Sequence, residues 1–149
     1  MRISRKIAAA GALTALAVGA TTAFSTTASA APNVTPQDVC GSAYTTVNSV
    51  PVGSLGTVYL TYNSSNGQNC VATIRDNPGT QLYMSTHIFV PETGEGAGDD
   101  GIFRSYAGPA YVDGRDFCVD WGGSIDNVYV QVYNSNCAAL KEHRITGIR

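Results

Sequence analysis

The sequence predicts an all-β fold, a small antiparallel β-sandwich or barrel of seven to eight strands with two disulfides. The chain after residue 30 is rich in Tyr, Thr, Val, Ser, Asn and Gly, the residues of pleated strands and tight turns. Its apolar residues alternate with polar ones in short runs spaced about ten residues apart. The chain also has four cysteines, an even number that is typical of exported domains.

The first thirty residues are excluded from this domain because they have the three parts of a secretory signal peptide. Arg2, Arg5 and Lys6 precede an uncharged apolar run, and Ala28-Ser29-Ala30 supplies a cleavage site of small residues. The alternative is a membrane anchor that stays attached. Because the run is rich in Ala and Gly and short for a bilayer span, we expect cleavage after Ala30.

Cleavage changes the charge of the working protein. Residues 1–30 contain three of the nine Lys and Arg and none of the eleven Asp and Glu, so six cations remain against eleven carboxylates. Nucleic-acid binding needs clustered cations, so this balance argues against it. No second apolar segment is long enough to span a bilayer, so no membrane contact is expected after cleavage. The remaining chain has the size of one domain.

The first predicted elements follow a flexible N-terminus at residues 31–39. Residues 44–49 form a strand, and residues 57–62 form the clearest strand, with strict alternation of apolar and polar side chains. Asn66-Gly67 then predicts a hairpin turn, because both positions tolerate a positive φ. Residues 70–75 return as the second strand of that hairpin.

The longest predicted strand covers residues 81–90, with Leu82, Met84, Ile88 and Val90 on one face. A loop is predicted at residues 91–101, which contain four glycines, two Glu and two Asp. The carboxylates of residues 92–100 raise the question of a Ca²⁺ site. Their spacing matches no EF-hand pattern, which favours a solvated loop without a metal.

The remaining strands are short. Residues 102–106 and 110–112 are separated by Gly108-Pro109, and residues 117–121 end at Gly122-Gly123. Residues 128–133 complete the set, with three valines on one face and two tyrosines on the other. The β-domain therefore spans residues 40–137, and residues 138–149 form a C-terminal tail.

The four cysteines permit three pairings. Cys118 and Cys137 lie near the outer ends of two neighbouring strands, and a bridge between them closes a short loop worth about 3 kcal/mol. Cys40 then pairs with Cys70 and fastens the N-terminal segment to the hairpin. We expect this sequential pairing. A peptide that links Cys40 to Cys118 or Cys137 would overturn it.

Four segments of the sequence, taken in this order, resemble segments of a known protein family. They are CGSAY at 40–44, PVGSLGTVYLTYN at 51–63, SYAGPAYV at 105–112 and CVDWGGSI at 118–125. Together they resemble the spore-associated protein A family of filamentous actinobacteria, small exported four-cysteine proteins found with aerial hyphae and spores. The resemblance covers residues 40–137, with an unusually acidic segment at 92–100 and an added tail at 138–149. It implies a location and supplies no catalytic residues.

No catalytic, cofactor or metal site is predicted. Nucleophilic catalysis needs a Ser or Cys beside an oriented base, and the available bases are His87 and His143. His87 has the opposite strand parity to Met84 and Ile88, so we expect it on the outer face as an ordinary strand residue. Asp120 interrupts a strand, where we expect it to face solvent or to accept hydrogen bonds. A small hydrolase is the third alternative.

The candidate ligand contacts are Tyr106, Tyr111 and Trp121, which lie in the most family-like stretches and could stack on sugar rings. For Trp121, three residues after Cys118, the favoured position is in the core over the disulfide. We predict a secreted, non-enzymatic protein of the spore or aerial-hypha surface, with spore-coat or cell-wall components as partners. The alternative is a small carbohydrate- or cell-wall-binding module.

Overall fold

The computed structural model describes residues 33–137, so the predicted signal peptide and the predicted tail at 138–149 lie outside the described residues. One short helix, α1, is followed by eight strands. Their bounds are α1 (Pro36–Cys40), β1 (Thr45–Val52), β2 (Gly56–Asn63), β3 (Gln68–Arg75), β4 (Leu82–Val90), β5 (Glu95–Phe103), β6 (Tyr106–Asp113), β7 (Val119–Ile125) and β8 (Val128–Ser135). This all-β architecture confirms the predicted fold class.

The strands form two antiparallel four-stranded sheets. The first sheet has the order β1-β2-β3-β6, and the second has the order β5-β4-β7-β8. Every pairing within the sheets is antiparallel. Cys40 is bonded to Cys70 and Cys118 to Cys137, which confirms the sequential pairing.

The core lies between the two sheets and is built from the inward residues of each strand. Trp121 is the largest fully buried side chain, and Leu60, Met84, Ile88 and Ile125 are buried with it. Each buried aliphatic side chain of this size contributes about 1.5–3 kcal/mol. The alternation in β4 matches the predicted face, because Met84, Ile88 and Val90 are buried between exposed or half-buried neighbours.

A second, smaller cluster covers the outer face of the first sheet. Helix α1 lies there, and Cys40, Tyr44, Cys70 and Ile74 are among its buried residues. Residues 36–39 of the segment 31–39, which is predicted to be flexible, are helical. The cause is a capping box: the Thr35 hydroxyl accepts from the Asp38 amide at 3.2 Å, and Asp38 Oδ2 accepts from the Thr35 amide at 2.8 Å.

The prediction of a loop at residues 91–101 is wrong. The turn is confined to the four residues after Val90, and β5 then pairs with β4 along its whole length, from Val90↔Glu95 to Leu82↔Phe103. Its glycines and carboxylates are typical of an edge strand, where backbone pairing on one side is enough and charge discourages further pairing. The composition of this segment, rich in glycine and carboxylates, is therefore that of a loop, although residues 95–103 form strand β5.

The predicted breaks at the later glycines are also wrong. β6 runs from Tyr106 to Asp113 through a cis Gly108–Pro109 bond, and β7 continues through Gly122-Gly123. The two β7 glycines are needed because side chains of other strands lie close to the backbone of β7 there. A Cβ on Gly123 would lie 2.2 Å from Thr73 Oγ1, which donates across the core to the Ser85 carbonyl at 2.8 Å. At this position glycine allows the two sheets to approach each other closely, and the strand continues through it.

Candidate functional site

The outer face of the second sheet carries the main exposed set of aromatic side chains. Register places the outward residues of β5, β4, β7 and β8 in adjacent rows, such as Gly98–His87–Gly122–Gln131 and Asp100–Ser85–Ser124–Tyr129. We call this surface the aromatic face. It consists of Tyr83, Ser85, His87, Phe89, Asp100, Ile102, Asp120, Gly122, Ser124, Tyr129, Gln131 and Tyr133, together with Gly96 and Gly98.

Several large side chains of the aromatic face are exposed. Tyr83 is 47% exposed, Phe89 42%, Tyr129 59% and Tyr133 71%. Ile102 adds an aliphatic side chain that is 60% exposed. Scattered apolar residues are normal on a surface, and it is the grouping of several on one sheet face that makes this surface a candidate binding site.

The centre of the aromatic face is held by His87. Its ring lies over Gly122, where a Cβ would come within 3.0 Å of His87 Cε1. This position lets the imidazole cross β7 and reach β8, where it stacks on Tyr129 with ring centroids 5.9 Å apart and planes 7° apart. The amide oxygen of Gln131 accepts hydrogen bonds from His87 Nε2 and from the Tyr129 hydroxyl.

The hydrogen bonds of Gln131 fix the tautomer of His87. Gln131 Nε2 donates to the carbonyls of Trp121 at 3.1 Å and Val132 at 3.2 Å, so its Oε1 must be the acceptor toward the ring. His87 Nε2 therefore carries the proton, and His87 pairs with an amide instead of a serine hydroxyl. The predicted outward position of His87 is confirmed.

Hydroxyl and carboxyl groups form a polar strip between the rings. Ser85 and Ser124 share a hydrogen bond of 2.8 Å, and the Tyr83 hydroxyl donates to Asp100 Oδ2 at 3.1 Å. The hydrogen bond to Asp100 raises the pKa of Tyr83, and partial desolvation followed by the neighbouring Tyr133 phenol raises the pKa of Tyr129. Both phenols therefore stay protonated and able to donate at neutral pH.

The sheet beneath the aromatic face carries only negative charge. Strands β4, β5, β7 and β8 contain Glu95, Asp99, Asp100 and Asp120 and no Lys or Arg. The Asp120 carboxylate accepts from the Asn134 amide at 2.7 Å, which confirms the prediction that it accepts a hydrogen bond. A polyanion would be repelled from this surface, whereas a neutral polyol would meet ring faces and hydrogen-bonding groups.

The predicted aromatic candidates are not brought together. Trp121 is fully buried, with its indole N–H donating to Ser135 Oγ at 2.7 Å, so it belongs to the core as favoured and offers no ligand contact. Tyr111 lies on the first sheet, where its hydroxyl donates to the Cys40 carbonyl at 2.9 Å. Tyr106 is exposed on the same sheet. Its exposure leaves it a candidate apart from the aromatic face.

Sequence reasoning missed the residues that do come together. Tyr129 and Tyr133 were placed opposite the valines of the last strand, and that parity was the available signal. Tyr83 and Phe89 share the parity of His87 in β4. What the sequence does not reveal is that β7 lies between β4 and β8, which puts these side chains on one surface.

A concave site, separate from the aromatic face, lies at one end of the sandwich. It encloses about 200 Å³ and is lined by Val47, Tyr62, Asn69, Gly114, Asp116 and Asn136. This volume is below the range of about 300–1,000 Å³ that is usual for ligand pockets. Within residues 33–137 no three His, Cys, Asp or Glu side chains are grouped as a metal site requires, and no helix is long and apolar enough to cross a bilayer.

These features define a small, disulfide-linked β-sandwich with one aromatic outer face. Spore-associated protein A of Streptomyces coelicolor is 50% identical to this chain over 128 residues, which are 86% of this chain and 79% of the relative. The chain therefore belongs to the spore-associated protein A family, as the four segments of its sequence predicted. The match covers more residues than the range 40–137. No protein-family model and no solved structure matches the chain.

Proposed function

We propose that the protein is exported and acts without catalysis at the surface of spores or aerial hyphae, where its aromatic face attaches it to a neutral polysaccharide. Three features support export: the leader-like residues 1–30, the two disulfides, and the name of its relative, a spore-associated protein. The aromatic face is the single observation that supports attachment to a polysaccharide.

The polymer class follows from the chemistry of that face. Sugar rings have apolar faces that pack on phenol and phenyl rings, and hydroxyls at their edges that pair with polar groups. The rings of Tyr83, Phe89 and Tyr133 are exposed for the first kind of contact. Ser85 and Asp100 supply partners for the second. Because the sheet carries no cation, we assign a neutral glycan and not a phosphate- or uronate-rich one.

The absence of catalysis is part of the proposal. His87, the one histidine among residues 33–137, donates to Gln131 and stacks on Tyr129. A hydrolytic base would need a nucleophile or water held at its free nitrogen. The hydrogen bond to Gln131 and the stack on Tyr129 instead fix the His87 ring as part of a flat platform.

A retention assay tests attachment. The purified protein is mixed with insoluble chitin, a neutral glycan, and with an anionic resin of the same particle size. We expect retention on chitin that a soluble N-acetylglucosamine oligomer reverses, and no retention on the anionic resin. Phe89→Ala combined with Tyr133→Ala should weaken chitin retention at least tenfold, which corresponds to about 1.4 kcal/mol.

The matched control is Tyr106→Ala, which removes an exposed tyrosine from the other sheet. Equal loss in the control and in the double variant would mean that the aromatic face is not the attachment surface. The location is tested separately by washing intact spores. Protein found in the culture fluid alone, with none on the spores, would contradict the surface role.

A further inference from the structure

Strand β8 is an edge strand that lacks the usual protection against pairing. The sheet edges are β1 and β6 in the first sheet and β5 and β8 in the second. Natural edge strands are blocked by proline or charge. β1 contains Pro51, β6 contains Pro109, and β5 contains Glu95, Asp99 and Asp100. β8 has the sequence VYVQVYNS, without a charge, a proline or a glycine.

No strand pairs with the outer backbone edge of β8 in the part of the chain that the structure describes. There β8 pairs with β7 alone. The hydrogen bond from Asn48 Nδ2 to Asn136 Oδ1, 3.0 Å long, lies beyond the last residue of β8. On the opposite side of the sandwich, Asp99 Oδ2 accepts from the Gly108 amide at 2.7 Å, so the edges of β5 and β6 protect each other. Among residues 33–137, β8 is thus the edge available for strand addition.

The composition of β8 favours strand addition. Valine and tyrosine have high β-propensity, and short uncharged segments without proline or glycine are the ones that add to other strands. Val130 and Val132 are half-buried beside the core. Tyr129 and Tyr133 are exposed on the aromatic face. Both faces of the strand therefore offer contacts that an added strand would complete.

The sequence of β8 identifies its partner. Tyr129-Val130-Gln131-Val132-Tyr133 reads the same in both directions. We propose that a second copy of this chain pairs with β8 in antiparallel orientation about a two-fold axis at Gln131. In this register Tyr129 lies opposite Tyr133 of the second copy, and Val130 lies opposite its Val132. Each of these aromatic and β-branched pairs occurs twice, as a self-complementary interface requires.

Charge and local geometry agree with this register. No like charges meet across the axis, because β8 has none. The register of β7 and β8 shifts between Val119 and Trp121, and Asn134 has a φ of 47°, so the regular part of β8 ends after Tyr133. The palindrome lies within that regular part. Because the other edges are blocked, the pair closes as a dimer and does not extend into a filament.

The dimer creates one eight-stranded sheet and joins two aromatic faces into a continuous surface. Cysteine cross-linking tests the register directly. In Gln131→Cys the new thiols face each other across the axis, within the distance that a disulfide spans. In the control, Tyr133→Cys, the thiols lie about 14 Å apart, which is four residues of strand rise. We expect a covalent dimer from the first variant and none from the second.

Charge pairs give an independent test by sedimentation. In the double variant Tyr129→Lys with Tyr133→Lys, lysines lie opposite each other across the dimer interface, and we expect a monomer. In Tyr129→Lys with Tyr133→Glu, opposite charges meet across the interface, and we expect the dimer to be restored. A wild-type mass of one chain at every protein concentration up to about 1 mM, where a dimer with a dissociation constant of about 1 mM would be half formed, contradicts the proposal. So does equal cross-linking of both cysteine variants. Polysaccharide retention is measured separately, so either proposal can fail alone.

Discussion

The imidazole of His87 lies parallel to the phenol ring of Tyr129, with ring centroids 5.9 Å apart and an angle of 7° between the planes. The two residues belong to β4 and β8, which are separated by β7 in the sheet. The stack is possible because Gly122, between them, has no side chain. A single glycine thus permits the flat ring platform on which the proposed attachment depends.

The first prediction concerns that glycine. In Gly122→Ala the new Cβ would lie 2.3 Å from the Val130 carbonyl and 3.0 Å from the His87 ring, so the strand or the ring must move. We expect a loss of about 1–3 kcal/mol in the free energy of unfolding, measured by denaturant titration. Gly79→Ala is the control, because no atom beyond its two chain neighbours lies within 4 Å of its Cβ position. Equal effects of the two substitutions would contradict this role of Gly122.

The second prediction concerns ionisation at the edge of the aromatic face. The hydrogen bond to Asp100, and then its negative charge, raise the pKa of Tyr83. Because the pKa of Tyr83 is raised in the folded state, this interaction stabilises the fold at pH values below the ordinary tyrosine pKa of about 10. The contribution is lost as the pH rises through the pKa that Tyr83 has in the folded state. In Asp100→Ala one tyrosine should ionise at lower pH in an absorbance titration at 295 nm. Asp76→Ala should leave the titration curve unchanged, and an unchanged curve for Asp100→Ala would rule out this interaction.

The third prediction concerns the cap of α1. Hydrogen bonds from the Thr35 side chain and then the Thr35 amide lower the pKa of Asp38. The cap therefore stabilises the helix at pH values above the ordinary carboxyl pKa of about 3.9. This contribution is lost as the pH falls through the pKa that Asp38 has in the folded state. Cα chemical shifts of residues 36–40 should become less helical in acid. Thr35→Ala should show that change at neutral pH, whereas Thr35→Ser should not.

The fourth prediction concerns the disulfide at the end of the β7–β8 hairpin. Cys118 and Cys137 are 19 residues apart, and their bond closes the loop that contains both strands. Replacing both by serine should lower the free energy of unfolding by about 2–5 kcal/mol. Denaturant titration under non-reducing conditions measures this loss. An unchanged midpoint would show that the bond contributes nothing to stability.

The parts of the fold that the sequence predicted are those with a local signal. The alternation in β2 and β4 places Leu60, Met84 and Ile88 in the core, as the structure does. Spacing was enough to pair the cysteines correctly. The missed strand, β5, has glycine and aspartate in place of alternating apolar residues, and it is held in the sheet by pairing to β4.

The aromatic face could not be predicted because it depends on contacts between distant parts of the chain. Tyr83 and Tyr129 belong to one surface only because the sheet order is β5-β4-β7-β8. The glycines Gly122 and Gly123 read as a break in the sequence. In the fold they are where His87 and Thr73 approach the backbone. The function of a glycine of this kind is visible only when its neighbours are known.

A nuclear magnetic resonance titration tests whether the aromatic face binds a neutral polysaccharide. An N-acetylglucosamine hexasaccharide is added to the isotope-labelled protein while backbone amide shifts are recorded. We predict shift changes concentrated in residues 83–89, 120–124 and 129–133, with none in α1. Unchanged spectra at millimolar ligand, or changes centred on Tyr106 or on the first sheet, would contradict the claim.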